Sequence, residues 1–419
     1  MKVLIKQARI VSPSSPHHGK TMDILVKDGT IVQIANKITE KADHTVENPQ
    51  LHVSIGWMDL FADFGDPGFE HRETLESGAA AAVAGGFTSV LIVPNTQPIV
   101  SSKTQVEYIK QKSISLPIDI LPMGAITKQA EGKELAEMYD MHASGAVAFS
   151  DGWQSLQNAG ILLKALQYVQ AKDALVIQLP NDQTIGPHGL MNEGIVSTQL
   201  GLPGKPPIAE ELMIARDIEL LKYTQSKLHI TGVSTKQGIA LIQQAKQQGL
   251  QLSCSVTPYH CFFCDEDLMD YNTHLKVNPP LRTREDMMAI REAVAKGVVD
   301  CISSHHHPLH WDEKNCEFEY AKNGMETFEA VFGVLHSVSE SLDMLIEQLT
   351  TRPRRLLGLP EPTIQEGSPA CFTFFNPSEE YVFDATMIQS ASSNNAFIGK
   401  TLTGKVLGIL HKNHLVLTA

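Results

Sequence analysis

Short apolar strands alternate with helical segments from residue 56 to about residue 350, and this constrains the chain more than any other feature. The strand candidates are TSVLIVPN, IDILPMGAI, AVAFSDG, ALVIQLP, LHITGV, QLSCSV and DCISSH. Between them lie the Ala-rich ESGAAAAVAGG, ELAEMYDMHASG, the run from Pro207 to Ser226, and TKQGIALIQQAKQQG. Each apolar strand must be covered by the helix that follows it, so the repeat predicts a parallel sheet with outer helices. Its length, somewhat over the about 250 residues usual for a (β/α)8 barrel, predicts that fold. Residues 1–55 carry a different pattern. KVLIKQARIV and DILVKDGTIVQIA read as short strands, with Asp28-Gly29 as the hairpin turn. From about residue 360 strands and turns return in SPACFTFFNPS and GKVLGILHKNHLVL.

Charge and composition remove several classes of function. The formal net charge is −13, which argues against a general nucleic-acid binder and against docking on an anionic membrane. No apolar run reaches the roughly 18 residues of a membrane-spanning helix. MKVLIKQARIVS is too polar and too short for a signal peptide and reads as a strand of the fold. Six cysteines in 419 residues do not make a disulfide framework. A cytoplasmic protein with reduced thiols is expected. Cys261-Phe-Phe-Cys264 has CxxC spacing but lacks both a second pair and a redox context, so ordinary buried cysteines are expected there. Cys254 and Cys301 lie in predicted strands and read as core. There is no GxSxG elbow and no P-loop. The basic segment from Arg352, RPRRL, reads as a solvated face or a contact surface.

The chain resembles dihydroorotases of the long bacterial type, in the cyclic amidohydrolase superfamily. The resemblance is carried by DPGFEHRETLESG, GGFTSVLIVPNTQP, GAITKQAEGKELAEM, GAVAFSDG, MNEGIVSTQLGLPGKPPIAEE, HITGVSTKQG, VTPYH followed by DEDL, KVNPPLR and TTRPRRLLGL, spread over nearly the whole sequence. It implies an α/β fold: a (β/α)8 barrel of the metal-dependent hydrolase type, with a small β-sandwich domain built from both termini. The expected division is 1–55 and 351–419 for the two parts of the small domain, with 56–350 for the barrel. The family's chemistry implies zinc that generates hydroxide and polarises an amide carbonyl. A carboxylate after the last strand then moves protons.

The positions that match the family's metal ligands have changed type. The His-x-His pair after strand one falls on Phe61 and Asp63. The bridging carboxylate falls on Asp151, where the family shows two adjacent acids. The strand-five histidine falls on Gln178 and the strand-six histidine on Gly232, while the neighbouring His229 matches a non-ligand position. The strand-eight aspartate, the proton-transferring base, falls on His305. Phenylalanine and glycine offer no donor, and glutamine is a poor zinc ligand. Asp63, Asp151 and His305 are the residual candidates for a single metal. The arginine that clamps the substrate carboxylate falls on Gly65, which removes a bidentate anion contact. Asn95, Asn278 and His306 still resemble substrate-pocket positions, and each asparagine equally suits a loop that satisfies its own backbone.

His305-His306-His307 with His310 reads either as a metal or anion site at the barrel mouth or as a polar loop. The resemblance together with the lost ligands implies a catalytically inactive protein of pyrimidine biosynthesis, with no cofactor expected. It would serve as a structural or regulatory partner of aspartate transcarbamoylase or of an active dihydroorotase paralogue, and would itself form an oligomer. Two alternatives stand beside this. One is an active dihydroorotase that hydrolyses a cyclic amide on a rebuilt mononuclear zinc site. The other is a small-molecule sensor using the barrel mouth.

Overall fold

The computed structural model describes residues 1–418. Eight parallel strands form a nearly closed barrel: β1 (Trp57–Ala62), β2 (Phe87–Ile92), β3 (Asp119–Gly124), β4 (Ala148–Phe149), β5 (Leu175–Gln178), β6 (Leu228–Ile230), β7 (Leu252–Val256) and β8 (Cys301–Ile302). β8 and β1 do not share a continuous ladder. They are joined through the following loop, where His306 bridges Ala62 and the Asp63 N–H donates to the His306 carbonyl at 2.9 Å. A buried carboxylate completes the closure. Asp59 accepts from the Ser304 N–H at 2.6 Å, the Ser304 hydroxyl at 3.0 Å and the Phe61 N–H at 3.1 Å. Burial nevertheless pushes its pKa up to about 7.

The helices follow from local signals. Thr74 caps the helix Leu75–Ala84 by accepting from the Ser77 N–H, while Ser77 returns a bond to the Thr74 backbone. Small alanines line the buried side of that helix, so it lies close against the sheet. Gly86 ends the connection at φ +86, where a Cβ would meet the Trp57 ring at 2.9 Å. The expected helix in ELAEMYDMHASG shortens to Met138–Ser144, because Leu135 pairs with Thr127 and the Ala136 N–H bonds the Ile126 carbonyl. Tertiary pairing outweighs helix propensity there.

Strands from both ends of the chain build one second sheet. Its path runs His414–Leu417, Thr401–His411, Phe372–Val382, His52–Ile55, Lys2–Ile10, Thr21–Lys27, Thr30–Ala35. Trp57 packs among Phe87, Phe332 and Phe375, which ties this sheet to the start of β1. The segment RPRRL, expected as a solvated face or a contact surface, is solvated only in part. It forms the helix Thr351–Leu356 at the barrel floor; Arg355 faces solvent, but Arg354 is only 4% exposed and donates to the Thr350 carbonyl at 2.9 Å. The amphipathic stem that allows an arginine to line an interior wall is invisible in a run of basic letters. No helix among the described residues is long and apolar enough to cross a membrane.

Candidate functional site

The carboxyl ends of the barrel strands bring the suspected ligand positions to one end of the barrel, the face that carries active sites in this architecture. Phe61, the penultimate residue of β1, is fully buried. Its ring stacks on the His305 imidazole, with centroids 4.6 Å apart and planes 30° from parallel. Trp153 meets Phe61 edge-on at 4.9 Å and His305 edge-on at 5.4 Å, then stacks on His307 at 4.4 Å. Four rings therefore fill the mouth. The histidine run lies in the loop after β8, and its first two members, His305 and His306, are fully buried. Phe61 from β1 and Trp153 from the loop after β4 pack on His305, while Phe328 packs on His306.

Gly232 and His305 fit one another. Gly232 adopts φ +68, and a Cβ built there would stand 2.6 Å from His305 Cε1. His305 itself sits at φ +47, a strained backbone for a side-chain-bearing residue. Its Nε2 is 2.8 Å from Thr231 Oγ1, which is 2.9 Å from Ser255 Oγ, which in turn is 2.9 Å from His229 Nε2. His229 Nδ1 closes on Ser253 Oγ at 2.8 Å. Neutral imidazoles satisfy this chain in one direction: His305 Nε2–H donates to Thr231, Thr231 to Ser255, Ser255 to His229 Nε2, and His229 Nδ1–H to Ser253. Burial supports that assignment by holding His305 well below the ordinary imidazole value and His229 at about 3. His305 Nδ1 is left without a partner.

The remaining donors are bound by the protein itself. Asp151 accepts from the Thr127 N–H at 2.9 Å and the Thr127 hydroxyl at 2.6 Å, and burial still pushes its pKa up to about 6. Asp63 accepts from the Gly65 N–H at 2.9 Å and from Trp153 Nε1 at 3.2 Å, with His307 Nε2 at 3.6 Å. Gln178 bonds both the N–H and the carbonyl of Leu156, each at 3.3 Å. Asn95 clamps the same loop: its amide donates to the Asp151 carbonyl at 3.1 Å and its oxygen accepts from the Trp153 N–H at 2.9 Å. That is the loop-satisfying role of an asparagine. Asn278 is half-buried and precedes Pro279. His306 accepts from the Thr327 N–H at 3.3 Å, and its Nε2 lies 3.4 Å from Glu73.

A zinc site needs three protein donors converging on one point. Among the described residues no three His, Cys, Asp or Glu side chains gather so as to hold a metal ion. Asp63, Asp151 and His305 each turn to a different protein partner, and Phe61 and Gly232 bring no donor. The donor set therefore does not fit the family's zinc. Gly65, at φ +63, would place a Cβ 2.9 Å from the Phe69 carbonyl oxygen, so the turn also disfavours a side chain at the anion-clamp position. The sequence reading did not anticipate Trp153 as the centre of the plug, nor Thr127 and Thr231 as the groups that occupy Asp151 and His305. Trp153, beside Asp151 and Gly152, was the one visible signal, because a large ring there must be housed.

A family model described as dihydro-orotase-like matches residues 52–238. A dihydroorotase of Syntrophus aciditrophicus (strain SB) is 35% identical over 423 residues, covering 99% of both chains. A dihydroorotase of Carboxydothermus hydrogenoformans is 39% identical over 410 residues, covering 96% of this chain and 95% of the relative. Among solved structures, the L-hydantoinase (dihydropyrimidinase) of Arthrobacter aurescens superposes with a TM-score of 0.85 at 22% identity, over 99% of this chain and 96% of that one. A D-hydantoinase superposes with a TM-score of 0.84 at 21% identity, over 100% of this chain and 95% of that one. At those identities the two hydantoinases share the fold.

Proposed function

The chain belongs to the dihydroorotase family, and from that premise we propose that it is a member without hydrolase activity, whose barrel mouth has become packed interior. One observation carries the reading. The Phe61–His305–Trp153–His307 stack includes two positions, Phe61 and His305, where the family resemblance expects metal ligands, and the nearby donors are engaged by Thr127, Thr231, Leu156 and Gly65. Activating water and polarising an amide both require a cation or an equivalent electrophile in place. His305 at the base position is fully buried, and burial holds its imidazole well below the ordinary value, so it is a poor proton acceptor in place of a carboxylate.

The test is direct. Purified chain with added Zn2+ is given dihydroorotate, and N-carbamoyl-aspartate is followed; elemental analysis reads the bound metal. The expected outcome is no turnover and substoichiometric zinc. A kcat of about 1 s⁻¹, at the low end of ordinary enzymes, overturns the proposal.

The proposal extends to a role. A folded chain that has lost its chemistry and kept nearly the full length of its relatives suits a cytoplasmic structural or regulatory subunit in pyrimidine biosynthesis. Aspartate transcarbamoylase is the first candidate partner and an active dihydroorotase paralogue the second. Size exclusion of the chain mixed with aspartate transcarbamoylase at micromolar concentration tests this: co-elution is expected, and two independent peaks refute it.

A further inference from the structure

At the barrel floor, opposite the plugged mouth, a cavity of about 420 Å³ lies between the starts of β1 to β3 and the terminal sheet. Met58, Leu121 and Leu359 form apolar wall, while Arg354, Cys371 and His411 bring polar atoms to it. Cys371 stands immediately before the strand Phe372–Val382, and its carbonyl accepts from the Gly56 N–H at 2.9 Å. Its thiol donates to Thr88 Oγ1 at 3.5 Å, and Cys371 and His411 line the same cavity. His411 Nε2 is 2.9 Å from Asp119 Oδ2, and Lys412 Nζ is 2.8 Å from the other oxygen of the same carboxylate. His411 Nδ1, the nitrogen not used on Asp119, is buried and has no hydrogen-bond partner. A thiol, an imidazole and an orienting carboxylate thus stand in the order that activates a sulfur nucleophile.

Arg354 is the second observation that points to a ligand. It is 4% exposed and forms a wall of this cavity, yet among the described residues no carboxylate lies within 4.0 Å of its guanidinium. The nearby Glu361 is spent on Arg355. A buried cation without an anion is costly unless something brings the countercharge. The electrostatics agree with the geometry. Burial pushes the Cys371 thiol up, but the facing imidazole, Arg354 and Thr88 bring it below the ordinary thiol value. Burial opposes protonation of His411, but Asp119 and the sulfur raise it to about 9. The buried cysteines elsewhere go the other way: Cys254 and Cys261 are pushed up to about 12, and Cys301 rises well above its usual value.

We propose that Cys371 is a nucleophilic thiol set by His411 and Asp119, and that the cavity before it admits a small anionic disulfide whose negative charge meets Arg354. The Cys371 thiolate attacks one sulfur of that disulfide. A bond forms between the two sulfurs as the disulfide bond breaks. The leaving thiolate takes the electron pair and receives the proton from His411 Nδ1. The protein is oxidised to a mixed disulfide and the other half of the reagent is reduced to a thiol. This site is independent of the barrel mouth and of the loss of hydrolase activity.

The test uses the full native chain and two reagents, the anionic aromatic disulfide dithiobis(nitrobenzoate) and the neutral dithiodipyridine. Released thiol is followed in time, and the modified cysteine is mapped by peptide mass. One rapid equivalent is expected at Cys371, about tenfold or more faster than at the half-buried Cys316. Cys371→Ser removes it. His411→Gln slows it and moves the midpoint of its pH–rate curve upward. Arg354→Met slows the anionic reagent and leaves the neutral one unchanged. The proposal is overturned if no rapid equivalent appears or if it maps to Cys316. Unchanged pH midpoint and anion preference in the His411 and Arg354 variants overturn it too. Should His411→Gln fail to fold, Asp119→Asn replaces it, and the unmodified chain is decisive alone: a midpoint at or above the ordinary thiol value of about 8.5 overturns the proposal.

Discussion

Gly232→Ala adds one methyl group to the barrel mouth, and the structure sets its cost. The residue sits at φ +68, where a side chain costs about 1–2 kcal/mol. The new Cβ would stand 2.6 Å from His305 Cε1 and 3.3 Å from Leu179 Cδ1. His305 cannot swing away freely. Phe61 lies against one face of its ring, Trp153 meets it edge-on, and Thr231 holds its Nε2. Overpacking of this kind costs about 1–3 kcal/mol. The sum is about 2–5 kcal/mol, of which the backbone share should survive and the steric share should vanish when His305 is cut to alanine. Urea unfolding of the four chains of the double-mutant cycle, followed by tryptophan fluorescence, measures both shares. The expected coupling between Gly232→Ala and His305→Ala is about 1–3 kcal/mol. If Gly232→Ala costs less than about 0.5 kcal/mol, the range of an ordinary surface change, or costs the same in both backgrounds, the mouth is adaptable. The packing argument against a metal site then fails.

Four further outcomes follow from the same geometry. Restoring the family ligands together, by Phe61→His, Asp63→His, Gln178→His, Gly232→His and His305→Asp, should recover partial zinc binding by elemental analysis but little dihydroorotate turnover, because Gly65 still supplies no anion clamp. Gly232→His alone should bind no zinc and should lower the unfolding midpoint, since its Cβ meets an intact His305. His229 has a folded-state value of about 3 against about 6.5 unfolded, so the unfolded chain binds the extra proton between them. Its contribution to stability is complete above about pH 6.5 and is lost as pH falls toward 3. His229→Asn should therefore flatten the fall in unfolding midpoint between those values. Thr127→Val removes a hydroxyl donor from Asp151 at 2.6 Å and leaves that buried carboxyl with the backbone N–H alone; the chain should lose about 1–3 kcal/mol by urea unfolding.

The barrel was legible in the sequence because alternation of strands and helices is a property of whole segments, and no single residue can spoil it. The second sheet was legible because its strands repeat the same signals at both ends of the chain. The site was legible only by subtraction. Phe61, Gln178 and Gly232 showed which matched positions carry no good zinc donor, while what surrounds them depends on contacts between residues far apart in sequence. The Phe61–His305 stack joins the first strand to the loop after the last. Thr127 and Asp151 meet across β3 and β4. No periodicity encodes either pairing. The burial of Arg354 was not legible for the same reason: a basic letter in a basic run does not reveal which wall its stem follows.

Metal loss at such a mouth is a problem of unsatisfied polar groups as much as of chemistry. An interior built around cations presents several donors to one point, and without the ions those donors are buried without partners. On the proposed function, the points of convergence have been taken apart in this chain. Phe61 replaces a donor with a ring, and Gly232 withdraws one and clears the space that His305 now fills. The neutral run from His305 Nε2 through Thr231 and Ser255 to His229 pairs these groups in turn with no charge, although His305 Nδ1 stays unpaired. The exchanges are interdependent. A histidine at Gly232 collides with His305, and an aspartate at 305 would leave Thr231 and the faces of Phe61 and Trp153 against a buried carboxylate. Reversal therefore requires several simultaneous changes, each destabilising alone, and this coupling is the physical reason that the mouth would stay closed once the first ligands were gone.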